Sequence, residues 1–196
     1  WALALDNDWF FPGANQDRDY TGGISFTMAG QRAQSAPLSL ERPRAGLTHL
    51  LGLAKDLPAR HSIEYGLVVF TPQELHDLKA QVGDRPFANL LYVASTGVDI
   101  DERHDTAWLS TLSAGVLGAA AVGDMQKGMH HVLGLDDPVG WGNQVSDGGE
   151  LTARYSIART QRSWQGDFLQ AHGEVTESWR LSVGYLSQLT FGVAGR

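Results

Sequence analysis

Between Gly123 and Gln144 the sequence reads GDMQKGMHHVLGLDDPVGWGNQ, which sets two adjacent histidines, His130 and His131, inside a short helical segment. Imidazole takes a proton from water near neutral pH, so a histidine held at a fixed angle is the general base this chain has to offer. Gln126 and His130 are four residues apart and share a helix face. Met125, Met129, Val132 and Leu133 form one apolar stripe. Asp124 is placed to cap the start, and Gly134 to close the end in a left-handed conformation. From spacing alone, the plainer reading is a capped surface helix with two solvated histidines. A second cluster, Asp6, Asn7 and Asp8 in LDNDWFF, offers neighbouring oxygen ligands of the kind a hard cation such as calcium takes. An Asx turn is the simpler account of those three residues. DRDYTGGI reads as a salt-bridged turn into a strand, and DDPVGW as a Pro/Gly turn.

Other chemistries are closed off. The chain has no cysteine, so it has neither a disulfide framework nor a thiolate nucleophile, and that composition is compatible with an oxidising periplasm. No GxSxG elbow is present, which favours water over serine as a nucleophile. A net charge of −7 and a pI near 5.4 argue against a nucleic-acid partner. No window is apolar enough for a transmembrane helix. Position 1 is Trp, and no signal peptide precedes it, so the chain reads as processed or trimmed.

The elements that must position these residues are strands. Large apolar groups alternate with small or polar ones through Ile24–Met28, Ile63–Val69, Leu151–Ile157, Trp179–Tyr185 and Leu189–Val193. Weaker versions run through Asn89–Thr96, Thr106–Gly118 and Phe168–Val175, about eight or nine strands in all. Two architectures share this alternation. A soluble sandwich or lipocalin-like barrel points the apolar groups inward, whereas an outer-membrane barrel points them at lipid. Trp9, Tyr20, Trp108 and Trp179 at strand ends suit interfacial girdles. Residues 34–59 break the rhythm with Pro37, Pro43 and Pro58. There Leu47, Leu50, Leu51 and Leu53 predict a short amphipathic helical piece lying on a membrane surface or a barrel rim. No linker or repeat interrupts the chain, so residues 1–196 read as one domain.

The ordered blocks ND, DRDYTGGI, FTP with DRPFANLLY, QKGMHHVLG and GWGNQ resemble the outer-membrane lipid A 3′-O-deacylase (LpxR) family over nearly the whole chain. The resemblance implies an all-β, antiparallel transmembrane barrel of twelve strands in the bacterial outer membrane. It also implies a calcium-dependent esterase that removes the 3′-linked acyloxyacyl group of lipid A, with lipopolysaccharide as substrate and no protein partner. Residue by residue it implies Asn7 and Asp8 as the calcium pair, Thr21 as a threonine near the site, and His130 as the catalytic histidine, with His131 a bystander. Asp136 falls where an acidic site residue is expected, with a shorter side chain than the family's glutamate, and Lys79 is the site lysine before DRPF.

The resemblance carries expectations of its own. Ile24, Phe26, Met28, Tyr155, Ile157, Leu181 and Val183 should face lipid, and Gly23, Ser25, Arg154 and Arg180 the interior. The length, and the ending GVAGR, predict a chain lacking the last strands of the family barrel. The competing reading is a non-enzymatic eight-stranded barrel that binds lipid or serves as a structural outer-membrane protein.

Overall fold

In a computed structural model, residues 1–7, 22–53, 59–72, 79, 83–134, 138–146, 148–168 and 171–195 are described. The alternating segments form eight strands: β1 (Ala2–Asn7), β2 (Gly22–Ala29), β3 (Ala59–Phe70), β4 (Ala88–Asp101), β5 (Thr106–Leu117), β6 (Glu150–Phe168), β7 (Ala171–Gly184) and β8 (Gln188–Gly195). They make one antiparallel sheet in chain order, β1 to β8, each strand beside its sequence neighbours. β3 and β5 have 12 residues, β4 and β7 have 14, and β6 has 19. A tilted strand crosses a bilayer with about 9–11 residues, so each is long enough. The weak segment Phe168–Val175 is not a strand of its own. It is the end of β6 and the start of β7, paired from Arg154↔Gly184 to Phe168↔Ala171.

Among the described residues, two α-helices interrupt the meander: α1 (Glu41–Leu50) and α2 (Ala120–Leu133). The chain groups into two compact units with boundaries inside strands. The first comprises Trp1–Thr27, Tyr65–Tyr92 and Gly115–Thr152, and the second Met28–Glu64, Val93–Ala114 and Ala153–Arg196. α2 belongs to the first and α1 to the second.

Burial runs opposite to that of a water-soluble globule. Among the described residues, ten polar or charged side chains are buried against nine apolar ones, three of the latter being alanines. Exposed large apolar groups instead form cross-strand patches: Leu3 opposite Phe26 and Leu5 opposite Ile24, then Leu181 opposite Leu189. Ile24, Phe26, Leu181 and Val183 are exposed, as the alternation implies for lipid-facing positions. Three of the expected lipid-facing residues are less exposed: Met28 is half-buried, and Ile157 and Tyr155 are covered although their pairing with Leu181 and Val183 puts them on the same face. Ile157 is buried, and Tyr155 is half-buried with its hydroxyl 2.9 Å from that of Thr48 on α1. Arg154 reaches the buried Ser182 hydroxyl at 2.7 Å, whereas Arg180 is exposed.

The helix in the proline-bracketed connection begins earlier than the leucine spacing predicts, and it turns the other way. Pro43 sits in the first turn, where its missing N–H costs nothing. The buried side of α1 is Arg44 and Thr48, one turn apart, while Leu50 is 80% exposed and Leu51 55%. The Arg44 guanidinium grips Glu41 through both carboxylate oxygens, at 2.9 and 2.5 Å, and also donates to the Ser110 hydroxyl of β5. Gly97 of β4 leaves room for it, because a Cβ there would collide with the guanidinium. The backbone N–H of Leu40 donates to Ser95 at 2.9 Å, and His61 Nδ1 of β3 lies 3.3 Å from Glu41.

Burial alone would raise the Glu41 pKa, but the Arg44 hydrogen bonds and charge, helped by His61, hold it below its ordinary value of 4.5. A depressed carboxylate pKa contributes stability that is complete above pH 4.5 and is lost as pH falls through the folded value. Acid unfolding of the second unit should therefore begin below about pH 4.5, and Glu41→Gln should flatten that part of the pH profile. Arg44→Ala strands a buried carboxylate and should cost about 3–5 kcal/mol in urea unfolding from micelles. An Arg44→Ala protein as stable as the parent would show that α1 is held by something else.

Candidate functional site

The histidine helix is held by a polar stitch and an aromatic ring. β5 ends at Leu117, and Gly118, in the left-handed region at φ 69°, turns the chain into α2. Asn89 of β4, fully buried, fastens that turn. Its Oδ1 accepts the Ala119 N–H at 3.0 Å, and its Nδ2 donates to the Ala119 carbonyl and to Gln144 Oε1, each at 3.2 Å. Gln144 Nε2 closes the loop by donating to the Gly118 carbonyl at 3.3 Å. The buried amides are thereby satisfied, which is the condition for having them inside at all. The helix consequently starts at Ala120 with Ala119 as its N-cap and no side-chain cap. Asp124, expected to cap it, is exposed and already within the helix.

Trp141, on a 3-10 turn at Gly140–Asn143, supplies the packing. Its ring lies 5.0 Å from that of Phe87, and the two bury Val122, with Leu67, Val69 and Ala119 around them. Gly123 makes the contact flat, since a Cβ there would stand 3.0 Å from the indole. The Trp141 indole N–H donates to Gln126 Oε1 at 2.7 Å, which fixes the rotation of the helix. Its inward side is therefore Val122, Gly123 and Gln126, and His130 follows one turn on, half-buried. His131, rotated by about 100°, is exposed. The C-terminus closes as the sequence implies, with Gly134 at φ 67° and its N–H directed to the His130 and His131 carbonyls. Two residues of the apolar stripe are not on the packing side. Met125 is 57% exposed and Val132 84%, because the Trp141 contacts claim a different face.

The remaining candidates are placed unevenly. Asn7 ends β1 directly opposite Gly22 at the start of β2. Lys79 is exposed. Asn7, Lys79 and His130 all belong to the first unit. Asp8, Thr21 and Asp136 lie outside the described residues. Among the described residues, no three His, Asp or Glu side chains gather in a metal-binding group. Asn89 and Gln144 carry no individual signal in the sequence, and Trp141 reads there only as part of the DDPVGW turn. The available signal was that they fall inside the blocks DRPFANLLY and GWGNQ.

Removing the Trp141 ring should open a cavity beneath α2 and cost about 3–5 kcal/mol locally. In hydrogen exchange, Trp141→Ala should speed α2 amides by at least about 100-fold, at 1.4 kcal/mol per decade. Amides at the centre of β4 should keep their protection. Unchanged α2 exchange would show that the ring does not hold the helix.

Similarity to known proteins can be set against this geometry. A family model described as "Outer membrane protein LpxR" matches residues 1–196. A search of curated proteins returns no match. Among solved structures, LpxR from Salmonella typhimurium superposes with a TM-score of 0.64 at 16% identity. The alignment covers 89% of this chain and 51% of that one, so the chain spans about half the length of the solved protein. That likeness is one of fold: an outer-membrane strand meander with the same general course. With the family match extending over its whole length, the chain belongs to the LpxR family of outer membrane proteins.

Proposed function

We propose that this protein is a calcium-dependent hydrolase that removes the 3′-linked acyloxyacyl chain from lipid A, with His130 as the general base. The observation that carries the reading is the attachment of α2 within a chain matched to the family from end to end. His130 follows Val122 and Gln126 at helical spacing, on the side of the helix that Trp141 fixes. A half-buried imidazole on a rigid helix can take a proton from water as that water attacks the ester carbonyl, and return it to the departing sugar oxygen. Water and ester become a fatty acid and a hydroxyl. In this reading the family resemblance assigns Thr21 to the neighbourhood of the ester, Lys79 to a positive charge and Asp136 to the acidic site residue.

Asn7 and Asp8 would hold the calcium ion. Amide and carboxylate oxygens are the donors a hard cation takes, and two side chains leave most of its shell to carbonyls and water. Bound there, the ion would supply positive charge for the developing oxyanion. The exposed Met125 and Val132 flank the same helix and suit an amphiphilic substrate arriving through lipid.

His130→Ala should reduce release of the fatty acid from lipid A by at least about 100-fold, while His131→Ala stays near the parent rate. Mass spectrometry of lipid A after incubation with each protein in micelles reads both. A normal His130 variant beside a dead His131 variant would invert the assignment, and two active variants would end the histidine mechanism. Activity should also vanish in chelator and return on adding calcium. Full activity in chelator would remove the metal from the reaction.

A further inference from the structure

The second unit contains a cluster that this reaction does not use. On β6, β7 and β8 a cavity of about 440 Å³ is lined by Arg159, Gln161, Glu177, Trp179, Phe191 and Val193, among others. The register explains why these six share a face: Arg159 pairs with Trp179, Gln161 with Glu177, Trp179 with Phe191, and Glu177 with Val193. Directly paired residues point the same way, as do residues two apart on a strand.

The cationic end is rigid. The Arg159 guanidinium lies 5.6 Å from the centroid of the Trp108 ring, and Trp108 meets Trp179 edge to face at 5.7 Å. One Arg159 nitrogen donates to Gln161 at 2.6 Å, while Nε is buried without a hydrogen-bond partner among the described residues. Glu177 stands one rung along and brings the opposite charge to the same face. Phe191 and Val193, at 75% and 77% exposure, form an apolar floor beside both.

A guanidinium on the cavity wall, a carboxylate on the same face and an aromatic–aliphatic floor together describe a ligand with three parts: a phosphate, an ammonium and an acyl chain. We propose that this face of β6–β8 binds a zwitterionic phospholipid of its own membrane. The phosphate lies on Arg159, the ammonium on Glu177, and the acyl chain along Trp179, Phe191 and Val193. Guanidinium–phosphate pairing is among the stronger charge-assisted hydrogen bonds. Glu177 decides the class, because it repels a purely anionic headgroup while completing a zwitterionic one. The site therefore differs in residues and in ligand chemistry from the one proposed around His130.

The test uses the full chain in nanodiscs with phospholipids brominated on the acyl chain, which quench tryptophan at contact. Brominated phosphatidylethanolamine should quench at a mole fraction at least about tenfold lower than brominated phosphatidylglycerol, the equivalent of one charge-assisted hydrogen bond. Trp179→Phe should remove most of that quenching. Arg159→Gln should abolish the high-affinity component, and Arg159→Lys should restore part of it. Glu177→Gln, a change at an exposed position that keeps the fold, should erase the preference between the two headgroups. It carries the test alone if the Arg159 variants fail to insert. Equal quenching by the two lipids in the parent protein would overturn the proposal, as would stronger competition by bis-phosphorylated lipid A. A preference unchanged by Glu177→Gln would overturn it too. Deacylase activity plays no part in any of these readings.

Discussion

A sheet that gives its apolar side chains to lipid has little hydrophobic surface left with which to hold anything else, and this constraint organises the protein. Lipid provides no water to satisfy the backbone, so the strands must pair continuously. Helices that return to such a sheet then have to be fastened chiefly by polar groups. Both are. α1 is fixed by Arg44 to Glu41 and Ser110, by Thr48 to Tyr155, and through the Leu40 backbone to Ser95. α2 is fixed by Asn89 and Gln144 around the Gly118–Ala119 turn. Only at Phe87, Val122 and Trp141 does a cluster of described residues resemble an ordinary core.

The same inversion explains which features are legible in the sequence and which are not. Alternation is a local property with a period of two, so β3, β4, β5, β6 and β7 are visible in the chain itself. The left-handed Gly134 is equally local. The leucines of LTHLLGLAKDL mislead because leucine in a helix ordinarily marks the inward face. Here the inward face meets serines and a glycine, so Arg44 and Thr48 go in while Leu50 and Leu51 stay out. The stripe of Met125 and Val132 misleads in the same way.

The attachments of the candidate site are illegible for a different reason. Asn89 meets Ala119 across 30 positions and Gln144 across 55, and Trp141 meets Gln126 across 15. No periodicity within a window encodes such pairs. What the sequence does hold is the presence of these residues inside blocks that travel together in the LpxR family. That resemblance points to importance without saying what each residue does. The fold gives Asn89 and Trp141 distinct physical roles, since one sets where α2 begins and the other how it is rotated.

Rotation separates the two histidines. With adjacent residues about 100° apart, the helix can turn only one of the pair toward the side carrying Val122 and Gln126, and the Trp141–Gln126 hydrogen bond selects which. Loss of that bond would leave the helix attached at its first turn by Asn89, but free to roll about its axis farther along. The same roll would carry Met125 and Val132 with it. The orientation of His130 and the placement of the apolar flank are thus a single variable, set by one indole N–H. A helix rotated by this bond turns the His130 imidazole toward the side of Val122 and Gln126 and leaves Met125 and Val132 on the far, exposed side, so one contact sets both faces.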